Sequence, residues 1–243
     1  MTRGADPSRR QFLALFGWLP FLHSRHITLA GARFRILRNG RSKRRYLRIH
    51  GNEETARLVL DRHMQTHEGI AYIIQNQVRN VQVEGLQLDP NRMFSRVGAE
   101  ASLKRLNTAP DAAQMARALN LLDRGREKLV RAFAPPKGGL LVALHNNNEG
   151  YAVDEEVPIS DQISLRQPSD PHAFFLCTDP ADFETLKTSP YNVVLQQHGP
   201  KQDDGSFSRL AAARGIRYVN LEVHLGQPGR QREMLAWLDW NLP

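Results

Sequence analysis

Apolar residues along this chain recur with two periods, and the elements change where one period gives way to the other. Ala56, Val59, Leu60 and Met64 recur at helical spacing, which predicts a helix over 53–66. Met115, Leu119, Leu122, Leu129 and Val130 mark a longer amphipathic helix over 111–133, which Pro135-Pro136 ends. Apolar runs of strand length lie at 33–37, 45–49, 70–74, 140–144, 173–177, 191–195 and 216–223. Residues 78–88 alternate loosely and lead into a loop over 89–94. Asp179-Pro180 has the form of a cap followed by a first-turn proline, opening a helix over 179–188. Trp237 and Trp240 are expected to close the last helix. Asn39-Gly40, between two strand-like runs, predicts a tight hairpin turn. Gly51, after the run at 45–49, predicts a sharp strand-to-helix turn. Strands alternate with helices throughout. The pattern predicts one α/β domain with a mixed, mostly parallel central sheet flanked by helices.

The first residues stand apart. Ser8-Arg9-Arg10-Gln11-Phe12-Leu13 resembles a twin-arginine export signal, and residues 12–22 form a short apolar segment behind it. Ala30-Gly31-Ala32 has the small-x-small form of a cleavage site. The chain is thereby divided into a signal segment over 1–32 and a catalytic domain over 33–243, and periplasmic export is expected. The alternative is an amphipathic N-terminal helix of a cytoplasmic protein, with the first strand inside 27–37.

Composition narrows the class. At 41% hydrophobic and 24% charged residues the chain is globular rather than disordered. No apolar run reaches the roughly 18 residues of a membrane span. The formal charge is +8, and it favours anionic partners such as cell-wall polymers. With 7% aromatics and no nucleic-acid motif, no nucleic-acid partner is expected. The basic run Arg41-Ser42-Lys43-Arg44-Arg45 is expected to be a solvated strand edge. The lone Cys177 excludes an internal disulfide and is expected to be a buried apolar residue.

The candidate chemistry gathers at strand ends, where open α/β sheets carry their sites. His50, His145 and Glu222 each close an expected strand, and Glu53 falls in the first turn of the next helix. His50, Glu53 and His145 together would be a two-imidazole, one-carboxylate set for zinc, with a position left open for water. Water on such a site has its pKa lowered to about 7. Glu222 is then placed to take that proton and hand it to a leaving nitrogen. Asn91 and Arg92 offer an amide and a guanidinium fork for a substrate carboxylate.

His50-Gly51-Asn52-Glu53, Asp89-Pro90-Asn91-Arg92-Met93-Phe94, His145 and Glu222 together resemble the zinc carboxypeptidase superfamily. That group includes the succinylglutamate desuccinylase and aspartoacylase branch and the murein peptide amidases. The resemblance covers roughly residues 45–225, and Gly205-Ser206-Phe207 with Gly215-Ile216-Arg217-Tyr218 is similar to the approach to the family's glutamate. It implies one zinc per chain on His50, Glu53 and His145, with Glu222 as general base. It also implies a substrate carboxylate on Asn91 and Arg92. Residues 198–205 lack the tyrosine of classical carboxypeptidases, and for the carbonyl-polarising arginine Arg79 is the nearest candidate. The expected activity is hydrolysis of a peptide or N-acyl amide beside a free carboxylate, with small peptides, N-acyl amino acids or peptidoglycan fragments as partners.

Other readings use the same residues differently. A carboxypeptidase-like binding protein of the cell envelope would keep the fold without turnover. A basic envelope anchor would need only the charged face. His63 and His67, four apart, are expected on a solvated helix face. His224 is either a group behind Glu222 or a surface residue, and Asp203-Asp204 is either an ammonium site or turn chemistry.

Overall fold

The computed structural model describes residues 25–198 and 202–243, so the twin-arginine stretch lies outside the described residues. β1 (Arg25–Leu29) and β2 (Ala32–Asn39) form an antiparallel hairpin whose turn contains Ala30-Gly31. β3 (Arg45–Arg48), α1 (Glu54–Thr66) and β4 (Gly69–Ile74) make a parallel β-α-β unit. β5 (Val81–Val83) and β6 (Leu86–Leu88) form a separate two-stranded ribbon. A short 3-10 turn at Pro90–Arg92 leads to α2 (Arg96–Leu106) and the long α3 (Ala112–Phe133). Then come β7 (Leu141–Asn147), α4 (Val153–Glu156), β8 (Gln162–Ser164) and β9 (Phe174–Cys177). The chain ends with α5 (Pro180–Leu186), β10 (Asn192–Leu195), α6 (Phe207–Arg214), β11 (Tyr218–His224) and α7 (Pro228–Asn241).

Nine strands form one mixed sheet in the order β1-β2-β4-β3-β7-β11-β9-β10-β8. Its centre, β4-β3-β7-β11, is parallel, and β2, β9 and β10 run the opposite way. The sheet is buried on both faces, as parallel strands require. Leu141 and Ala143 of β7 face the layer that holds α2, α3 and α6, where Leu103, Leu122, Phe133 and Phe207 pack. Val142 and Leu144 face the other layer, with Leu60 of α1, Phe183 of α5 and Leu235 of α7. Because strand side chains alternate, His145 continues the face of Leu141 and Ala143. Glu222 likewise continues the face of Tyr218, and the two stand directly opposite each other on paired strands. That pairing is the fold's main contribution to the site.

The structure departs from the sequence expectation at several places. Asn39-Gly40 is not a hairpin turn: β4 lies between β2 and β3, so these neighbours in sequence never pair. Asn39 instead donates from Nδ2 to the carbonyls of Met64 and His67 at 3.3 and 3.1 Å, tying the chain reversal to the end of α1. The basic run is no sheet edge either. Arg45 opens β3, which is paired on both sides, and Arg44 lies 3.3 Å from Asp239. Trp237 packs against the core, but Trp240 is 89% exposed and closes nothing. The strand expected to end at His145 runs on to Asn147. Among the described residues, no helix is long and apolar enough to cross a membrane.

Candidate active site

The turn from β3 to α1 is built around Gly51 and Arg48. A Cβ on Gly51 would come within 2.1 Å of the Asn76 carbonyl oxygen and 2.6 Å of that of Val78, so only glycine fits. Arg48 is 2% exposed and donates to the carbonyls of Gly51, Glu53 and Ile74 at 2.6, 3.2 and 3.2 Å. The turn is thereby stapled to the end of β4. Glu53 occupies the N-cap of α1, yet its side chain makes no capping bond. The carboxylate points instead at the two histidines. Asn146 takes over part of the capping, accepting from the Ala56 amide at 2.8 Å.

His50, Glu53 and His145 are all buried and converge. Glu53 Oε1 lies 2.7 Å from His50 Nδ1 and 3.3 Å from His145 Nδ1, and ligand atoms of the three fall within 4.8 Å of one another. Glu53 Oε2 is buried with no hydrogen-bond partner. Two imidazole nitrogens and a carboxylate, with one oxygen unsatisfied, are a donor set that could hold a metal ion.

Asp89 is the residue that sequence reasoning passed over. Its Oδ1 lies 2.8 Å from His50 Nε2, the ring nitrogen opposite the one that meets Glu53. This is the carboxylate–histidine arrangement that fixes a ligand's tautomer and ring orientation. The only signal was its place at the head of the Asp-Pro-Asn-Arg motif. Burial works against the charged form of His50, but the carboxylates of Glu53 and Asp89 outweigh it and hold the ring up at about 9. Burial likewise works against charge on Glu53, and the two histidines outweigh it and hold this carboxyl well below the usual range. Asp89 is held low against its own burial, chiefly by its hydrogen bond to His50 and by that ring's charge.

Glu222 is 5% exposed and receives Asn220 Nδ2 at 3.1 Å and Asn147 Nδ2 at 3.3 Å, one on each oxygen. Burial raises its pKa; the charge of His145 pulls the other way, while that of Glu53 adds to the rise. A carboxylate held between two side-chain amides and pushed upward has the character of a general base.

His50, Glu53, His145 and Glu222 line one cavity of about 460 Å³, together with Arg79, Asn91 and Arg92. Arg79 leans over two of the carboxylates, 3.6 Å from Glu53 Oε1 and 3.3 Å from Asp89 Oδ2. Asn91 uses Oδ1 to accept the Phe207 amide at 3.1 Å, at the first turn of α6. Arg92 lies 3.3 Å from Asp204, so its fork is already engaged by a carboxylate. Gly205, at φ +78° and 2.4 Å from the Arg92 carbonyl oxygen measured from a built Cβ, lets the two loops close together. Asp203 and Asp204 accept the amides of Gly205 and Ser206, which is turn chemistry, and Asp204 adds the contact to Arg92. The cavity also takes in Tyr151, whose hydroxyl donates to Glu156 at 2.6 Å. His224 lies outside it, against the His172 ring and the Leu225 carbonyl.

No family model matches the chain, and no curated protein matches it. Among solved structures, one similar to it is a succinylglutamate desuccinylase/aspartoacylase from Rhodobacter sphaeroides, 14% identical with a TM-score of 0.44. That match covers 87% of this chain and 59% of the other, so the chain spans under two thirds of its length. A second is a candidate metallopeptidase from Shewanella amazonensis, 13% identical with a TM-score of 0.41, covering 90% of this chain and 84% of that one.

Proposed function

We propose that the protein is a zinc-dependent hydrolase that cleaves a peptide or N-acyl amide bond beside a free carboxylate. The observation that carries the reading is the convergence of the His50 and His145 rings on Glu53 Oε1, with Glu53 Oε2 left unpartnered and Glu222 paired opposite His145 in the same cavity. Zinc held by those three side chains would acidify a water and polarise a carbonyl. Glu222 would take the water's proton and pass it to the leaving nitrogen; its raised pKa suits it to both steps. Asn147 and Asn220 hold that carboxylate in one orientation, so little reorganisation accompanies the transfer. Arg92 would exchange Asp204 for the substrate carboxylate, with Asn91 alongside, and Arg79, beside Glu53, would face the carbonyl oxygen. Exchange of one carboxylate for another leaves the guanidinium paired throughout, which limits the desolvation cost. Export through the twin-arginine segment would make a peptidoglycan stem peptide a fitting substrate.

The test pairs metal content with turnover. Mass spectrometry of the wild type should count zinc that His145→Ala loses from the site. Glu222→Gln should keep that zinc and lose hydrolysis of a panel of N-acyl amino acids and short peptides. Zinc retained in full by His145→Ala would overturn the metal site. Zinc bound in the wild type with no turnover across the panel would favour a binding protein of the same fold.

A further inference from the structure

The other layer of the domain carries a second group of metal-competent side chains that the proposed chemistry does not use. Expected on a solvated face, His63 is in fact 9% exposed, in the last turn of α1 and about 15 Å along that helix from Glu53. His67 follows one turn later on the same side, and Asp239 reaches them from α7. Ligand atoms of the three lie within 4.8 Å of one another.

The facing atoms are already gathered by polar contacts, with His63 Nε2 2.9 Å from the Tyr46 hydroxyl. Asp239 Oδ1 is taken by Arg44 at 3.3 Å and the Tyr46 hydroxyl at 3.4 Å. Asp239 Oδ2 is buried without a hydrogen-bond partner, although His63 Nε2 stands only 2.9 Å away. The contact is close enough for an ion pair but misaligned for a hydrogen bond, so Oδ2 keeps capacity for a further partner. His67 Nδ1 lies 3.2 Å from the His63 carbonyl oxygen. Nδ1 also lies 2.9 Å from the Thr66 hydroxyl, so its contacts are within the helix end and Nε2 is the nitrogen left to face an ion. The two rings are stacked, 3.9 Å between centroids and 12° apart in plane, so their lone pairs do not yet meet. His67 is exposed, and binding would turn its ring toward the other two.

We propose that His63, His67 and Asp239 form a second transition-metal site, which clamps the C-terminal helix α7 to α1. Two imidazoles and one carboxylate oxygen suit zinc, nickel or copper, with water completing the shell. The ion takes the His63 Nε2 lone pair that now faces Tyr46, whose hydroxyl keeps Asp239 Oδ1. One ligand is exposed and the carboxylate is shared with Arg44, so this ion leaves before the one on His50, Glu53 and His145. The site stands independently of the hydrolase reading.

Equilibrium dialysis of the full chain against zinc chloride, with bound metal counted by mass spectrometry, separates the two sites. The wild type should bind about two zinc ions per chain, and His67→Ala and His145→Ala about one each. The double variant should bind none. Zinc should also raise the melting temperature of His145→Ala by several degrees and leave the double variant unmoved. His67 is exposed, so its loss does not threaten folding, and Asp239→Asn provides a second removal of a ligand. Equal zinc in His67→Ala and the wild type, or no melting shift in His145→Ala, would overturn the proposal. Loss of one ion in His67→Ala with no loss in His145→Ala would uphold this site and sink the other.

Discussion

At the scale of single residues, the candidate site is a set of carboxylates that differ in their surroundings. Glu53 and Asp89 sit against imidazoles and are held as anions; Glu222 sits between amides and is pushed toward its neutral form. The sign of the pH dependence follows. A general base works deprotonated, so activity should rise with pH through a raised pKa. The acid limb of kcat/KM should lie above the ordinary glutamate value of about 4.3 and vanish from the residual rate of Glu222→Gln. A limb at or below about 4.3 would remove Glu222 from that role. Asp89 supports a second expectation. Asp89→Asn keeps the shape but removes the charge behind His50 Nε2, so zinc affinity should fall roughly 10–100-fold. Competition with a chelator of known strength measures this directly. His50, Glu53, His145 and Glu222 were legible in the sequence because each follows or ends an apolar run. Asp89, Asn147 and Asn220 were not, since what matters about them is which side chain they meet from another element. Asn220 carried a faint signal: two residues before Glu222, it had to share its strand face.

At the scale of elements, the turn between β3 and α1 decides whether the ligands meet at all. Arg48 closes it with bonds to carbonyls of three separate residues, all inside the protein. Arg48→Met keeps much of the apolar stem and removes the donors, leaving buried carbonyls unpaired. It should cost about 2–4 kcal/mol in urea unfolding and weaken zinc binding as well. Unchanged stability would mean that Gly51 and the β4 contacts hold the turn alone. The strand and helix positions were largely legible, because buried central strands such as β4, and β7 as far as Leu144, are apolar runs. Pairing was not. Asn39-Gly40 has the local chemistry of a hairpin, but burial of β4 between β2 and β3 outweighs one favourable turn. The basic run misled for the same reason. Its charges read as an edge, whereas Arg44 is paired with Asp239 near the end of the chain and Arg45 enters an interior strand. Contacts across such sequence distances leave no local mark.

At the scale of the whole molecule, the sheet binds two apolar layers into one body, and Cys177 offers a way to ask whether it opens as one. Cys177 ends β9, wholly buried between β11 and β10, with its side chain in the layer under α5 and α7. Burial raises its thiol well above the ordinary range, with the charges of Asp182 and Asp179 adding to the rise. Both the inaccessibility and the scarcity of thiolate therefore protect it from a thiol reagent in the native state. To expose it, α5 and α7 must leave the sheet, which removes most of the packing on that face. Labelling should then follow global unfolding: negligible in buffer, and rising in urea with the same midpoint as the loss of helical circular dichroism. If labelling instead proceeds in buffer at a rate that urea barely changes, the α5–α7 layer lifts by itself. The domain would then be two cooperative units, with Glu222 and His145 on strands shared between them.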